Sequence, residues 1–86
     1  MRVAFPSPLH SYTRGRSEDE GQGESLAELL DFLDSRYPGI RFRVVDEHDR
    51  IREHIRFFVN GQMVKDLSQA LGKNDEVMIV AALSGG

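Results

Sequence analysis

Cysteine is absent from the chain. That excludes a disulfide framework, a thiolate nucleophile and any metal site built on thiolates. A basic excess is absent too. The formal net charge is -3 over 86 residues, and no stripe of Lys and Arg supplies the phosphate contacts that nucleic-acid binding requires. Nor is there an apolar run long enough to cross a bilayer, so no membrane partner is expected. The N-terminus lacks a secretory pattern, because Pro6 and Pro8 interrupt the stretch that follows Arg2. The expectation is a cytoplasmic protein.

Catalytic and metal-binding patterns are equally sparse. His10, His48 and His54 fall in three separate segments, and none pairs with another ligand at helical spacing. Asp46, Glu47 and Asp49 lie close together but read as a solvated turn, since no acid–base pair in a cleft can be assembled from them. Gly21-Gln22-Gly23 lacks the rest of a phosphate-binding fingerprint, and the neighbouring acidic run repels phosphate. The sequence therefore predicts neither a metal, a bound cofactor nor an enzyme. A chain this short buries a little over ~60% of its unfolded surface, enough for one modest core.

What is present is a series of periodic segments. Met1 to Phe5 alternates as a half-buried strand does, and Pro6 and Pro8 end it. Leu9 to Thr13 reads as the returning strand of a hairpin. Arg14 to Glu24 has no apolar residue to bury and reads as an exposed loop carrying the acidic run Glu18 to Glu20.

Ser25-Leu26-Ala27-Glu28 matches a capping box, in which the serine accepts from the third helical amide and the glutamate reaches back to the cap. Leu26, Leu29, Leu30, Leu33 and Tyr37 then recur on one helical face, and Pro38-Gly39 stops the helix. Ile40 to Val45 is compatible with a strand or with a short irregular segment covering the core edge.

Glu53 to Met63 predicts a hairpin around Asn60-Gly61, with Ile55, Phe57 and Val59 on one face and His54, Arg56 and Phe58 on the other. Leu67 to Leu71 reads as a short helical turn, and Lys73 to Glu76 as a tight turn. Val77 to Ala81 reads as a buried strand. Hairpin, amphipathic helix and further strands in this order predict an α+β fold of β-grasp (ubiquitin-like) type. It comprises a mixed four- to five-stranded sheet packed on one main helix, with the last strand parallel to the first in the middle of the sheet. Residues 1–82 form the domain and 83–86 a flexible tail.

The tail ends Leu83-Ser84-Gly85-Gly86, and the glycines have no turn or helix cap to serve. What they present is the Gly86 α-carboxylate, unobstructed by any Cβ nearby. Phe58 and Met63, with Met78 or Val80, fall on the sheet face opposite the core positions. There they either form an exposed docking patch or are covered by the domain's own loops.

The stretch from Phe58-Val59-Asn60-Gly61 through Asn74-Asp75-Glu76-Val77 to Leu83-Ser84-Gly85-Gly86 resembles the ThiS/MoaD family of ubiquitin-like sulfur carriers. So do the helix opening Ser25 to Leu30, its ending Arg36-Tyr37-Pro38-Gly39, and the N-terminal Phe5-Pro6-Ser7-Pro8-Leu9, which is similar to the longer MoaD-like and CysO-like members. The resemblance implies that a ubiquitin-activating-type enzyme uses ATP to adenylate the Gly86 carboxylate. A sulfur source then displaces AMP to leave a thiocarboxylate, which a sulfur-accepting synthase consumes. Ala82, Leu83, Ser84 and Gly85 would be the recognised tail, and the patch of Phe58, Met63, Met78 and Val80 the docking site. Destinations open under this reading are cysteine or another sulfur metabolite, molybdopterin, or thiolated tRNA. The alternative is a ubiquitin-like modifier of lysines, or a non-covalent interaction module. Family members often carry proline ahead of Gly-Gly; this chain has Ala81-Ala82-Leu83-Ser84.

Overall fold

Ser25 opens the main helix, α1 (Leu26–Arg36), in the computed structural model, which describes residues 1–81. Its hydroxyl accepts from the Glu28 amide at 3.2 Å. The Glu28 carboxylate lands one residue before the expected cap amide, on the Glu24 N–H at 3.0 Å. Leu26, Leu29, Leu30 and Leu33 are all buried, and Tyr37 continues their stripe beyond the last turn. The helix packs on a sheet whose core face carries Val3, Ile55, Phe57, Val59, Val77 and Ile79.

Among the described residues five strands form that sheet: β1 (Arg2–Ala4), β2 (Glu18–Glu20), β3 (Ile55–Val59), β4 (Gln62–Val64) and β5 (Glu76–Ala81). Their order is β2-β1-β5-β3-β4. β5 is central, parallel to β1 and antiparallel to β3, as a β-grasp requires. Asn60 and Gly61 both take positive φ, 51° and 84°, the geometry of the type I′ turn that joins β3 to β4. Asn60 also locks this turn to the start of β5: its side chain accepts from the Glu76 N–H at 3.0 Å and donates to Asp75 at 2.9 Å.

The hairpin partner of β1 is not Leu9 to Thr13. Pro6 and Pro8 instead lead the chain into a 3-10 turn (Ser7–Leu9) that continues to coil through Gly15, burying Leu9 from a turn rather than from a strand. The returning strand is β2, inside the segment that reads as a loop. It escapes an apolar-alternation reading because its inward residue is Asp19, flanked by exposed Glu18 and Glu20. Charged residues on an edge strand also discourage pairing with another chain. Gly21, just beyond β2, is packed so closely that a Cβ there would lie 2.5 Å from Leu29 Cδ1 and 2.8 Å from Val3 Cγ2.

The ambiguous segment is a short helix, α2 (Ile40–Val44). Ile40 and Val44 are both buried, four residues apart on one face, whereas Phe42 is 55% exposed and lies under the Arg52 guanidinium at 4.5 Å. A strand would have buried all three. Asp34 accepts from the Gly39 and Arg41 amides and so fixes the entry to α2. The expected helical turn at Leu67 to Leu71 is a single reverse turn, closed from Gln69 N–H to Asp66 C=O. Leu67 and Leu71 still pack against the core.

The boundary between a domain over 1–82 and a tail over 83–86 lies outside the described residues. Among the described residues no helix is long and apolar enough to cross a membrane.

Candidate docking face and tail root

Strand register gathers the sequence-predicted patch into one row. Phe58 on β3 lies between Met63 on β4 and Met78 on β5, and Ala4 on β1 continues the row beyond Met78. Val80, two residues along β5 from Met78, sits beside Arg56. Side chains alternate along a strand, so all of these face away from the helix. Among the described residues no loop covers the row fully: Met63 is 47% and Met78 51% exposed, while Phe58 and Val80 are half-buried.

The apolar character of β5 therefore has two causes. Val77 and Ile79 serve the core; Met78 and Val80 do not, and their central position in the sheet does not bury them. Exposed large side chains in a contiguous row are a mark of an interaction surface.

Charges rim the row. Arg2 forms an ion pair with Glu18, and Glu76 lies opposite Arg2 across the parallel β1–β5 pairing. Together with Asn60 and Gly61 these residues border a shallow concavity over Ala4, Phe58 and Met78. Ala4, Arg2, Glu18 and Glu76 were not among the predicted docking residues. The signal for Ala4 was available: it follows the core residue Val3 in a strand and must face the other way.

At the end of the face, Ala81 pairs with Ile55, so the central strand is held in register to its last described residue. Ala82, Leu83, Ser84, Gly85 and Gly86, the predicted recognition and activation residues, lie outside the described residues. Among the described residues, no cluster of His, Asp and Glu is placed to hold a metal ion. Two carboxylates bracketing the sheet are held below the usual carboxylate range. Asp75 is lowered chiefly by the Gly72 N–H and then by Asn60; Asp19 is lowered first by the Tyr37 hydroxyl. Both shifts come from hydrogen bonds that fix loops and strands, and neither places a proton donor or acceptor at a cleft.

Comparison with known proteins bears on the same features. The ThiS family model matches residues 3–86. The sulfur carrier protein CysO of Mycobacterium tuberculosis is 27% identical, in an alignment that covers 100% of this chain and 98% of that protein. The crystal structure of the Amycolatopsis orientalis BexX/CysO complex contains a chain that superposes with a TM-score of 0.91 at 30% identity, covering 99% of this chain and 98% of that one. Mycobacterium tuberculosis CysO superposes with a TM-score of 0.89 at 25% identity, covering 95% of this chain and 98% of that chain.

Proposed function

We propose that this chain, which belongs to the ThiS family, is a sulfur-carrier protein whose reactive group is the α-carboxylate of Gly86. The observation that carries the reading is the end-to-end match to chains named as sulfur carriers, with the Gly-Gly terminus inside the matched stretch. The chain is then a substrate rather than a catalyst.

The chemistry divides between this chain and its partners. An adenylating enzyme of the ubiquitin-activating type binds ATP. The Gly86 carboxylate attacks the α-phosphate, releasing pyrophosphate and leaving an acyl-adenylate. A sulfur donor displaces AMP, and the resulting thiocarboxylate surrenders its sulfur to an accepting synthase. A carboxylate is a poor electrophile, and adenylation gives it a leaving group.

This chain contributes three things to that sequence. Gly85 and Gly86 lack the Cβ atoms that would obstruct a narrow channel. Ala82 to Ser84 would carry Gly86 into the partner's active site, recognised there through backbone hydrogen bonds. The row of Met63, Phe58, Met78 and Val80, the last two on β5 itself, docks the adenylating enzyme. Similarity to CysO supports cysteine or another sulfur metabolite as the destination, rather than molybdopterin or tRNA. It also supports a carrier over a modifier of lysines.

Deleting Gly85 and Gly86 tests the division of labour. The shortened chain is expected to fold and to compete with the full chain for the adenylating enzyme, yet to accept no sulfur. Retained sulfur loading would refute the assignment of Gly86.

A further inference from the structure

Cationic side chains collect at one place on a chain that is acidic as a whole. A groove lies between residues 49–53 on one bank and 63–68 on the other, with half-buried Ile51 and Leu67 supplying apolar surface. Five cationic side chains line it against three carboxylates, whereas the net charge of the chain is -3.

Two of the three carboxylates are committed, and the third, Glu53, has no ion pair among the described residues. Asp49 receives the Arg41 guanidinium at 3.0 Å, and Asp66 accepts from the Ser68 amide and hydroxyl at 2.9 and 2.8 Å within its own turn. Four of the cations lack a paired carboxylate among the described residues, although Arg52 lies near enough to Asp46 to help the Arg50 N–H lower its pKa. Among the described residues, no carboxylate lies within ion-pair distance of Arg50, Arg52, Arg56 or Lys65. Arg52 is held in place by the Phe42 carbonyl at 2.7 Å and by the Phe42 ring, and Arg56 by two backbone carbonyls, so both heads are positioned before any ligand arrives.

The groove also borders an unpaired sheet edge. Among the described residues β4 pairs with β3 alone. Flanking a two-residue turn, Val59 and Gln62 exchange both backbone hydrogen bonds. By the alternation of antiparallel pairs, Met63 then turns its N–H and C=O outward. The outward-facing N–H and C=O of Met63, beside an apolar floor, give an extended segment a backbone anchor, and cations on both banks select its charge.

We propose that this groove binds an extended segment of a partner protein in which apolar and acidic residues alternate. The apolar side chains would rest on Ile51 and Leu67, and the carboxylates would pair with Arg50, Arg52 and Lys65. The site is distinct from the row of Phe58 and Met78, although Met63 borders both. Ile55, which pairs with Ala81 at the last described position of β5, also lines it. The inference does not depend on sulfur chemistry.

A blocked synthetic peptide alternating Val and Glu, titrated into the isotope-labelled full chain, tests it by amide chemical shifts. Expected are shifts at residues 50–52 and 63–65 that weaken with added salt. Affinity should fall by about tenfold or more in the Arg50→Glu, Lys65→Glu double variant. Both residues are exposed, and an otherwise unchanged spectrum verifies the fold; Arg50→Gln with Lys65→Gln serves if it does not. The proposal is overturned by an absence of shifts, by equal binding of the Val–Lys counterpart, or by shifts confined to Phe58 and Met78. Equal binding of tripolyphosphate would show an undirected charge patch and overturn it as well.

Discussion

The Tyr37 hydroxyl, buried beyond the end of α1, donates a hydrogen bond to the Asp19 carboxylate on β2. Arg36 adds a contact to the same carboxylate at 3.0 Å, and the Glu20 N–H one at 2.8 Å. A three-residue acidic edge strand is thereby pinned to the helix that covers the core. Tyr37→Phe removes one charge-assisted bond while leaving the others, so a loss of about 1–2 kcal/mol is expected in denaturant unfolding. An unchanged unfolding midpoint would mean that the pin contributes nothing to stability.

The same pair sets a pH dependence. Asp19 is held below the usual carboxylate range, first by Tyr37, so its contribution is complete above the unfolded value of about 3.9. It is lost as pH falls below about 4 and through the lowered folded value. Asp19→Asn removes this contribution at neutral pH and has none left to lose in acid. The stability gap between the two proteins should therefore be widest near neutrality and close below about pH 4. A gap constant from neutral to acid would contradict the assignment.

The open face can be separated from the core by mutation. Met78 is 51% exposed, so Met78→Asp should change stability by no more than about 0.5 kcal/mol. If Met78 docks the adenylating enzyme, the same change should reduce kcat/KM for adenylation by about tenfold or more. Phe57→Ala, on the same strand as Phe58 but fully buried, should instead cost about 3–5 kcal/mol of stability. Parallel loss of stability in both variants would merge two surfaces that the register keeps apart.

Gly21 gives a packing test. A methyl there meets Leu29 and Val3 at distances that neither tolerates unmoved. Gly21→Ala should destabilise by about 1–3 kcal/mol, through displacement at the β1–α1 contact. A neutral or stabilising result would show that this corner yields readily.

Where side-chain period and turn chemistry agreed, the fold was legible in the sequence. Leu26 to Leu33 and the Asn60-Gly61 hairpin fall where they were expected, and β5 lies beside β1. The Phe58–Met63–Met78 row was also legible, because alternation assigns each residue a face before register brings them together. β2 was hidden because the inward residue of an edge strand can be an aspartate if a tyrosine and an arginine await it. α2 was hidden because Ile40 and Val44 satisfy both strand and helix spacing over so short a segment. The groove at Arg50 and Lys65 joins segments distant in sequence, and no local pattern announces it.

Intact mass spectrometry of the full chain, incubated with ATP, a sulfur donor and an adenylating enzyme proven on a known carrier, tests the central claim most directly. The predicted result is the mass gain of one oxygen exchanged for sulfur, confined to the C-terminal peptide and absent without ATP. No gain, or Gly-Gly remnants on lysines in its place, would contradict the sulfur-carrier account and leave only the β-grasp fold.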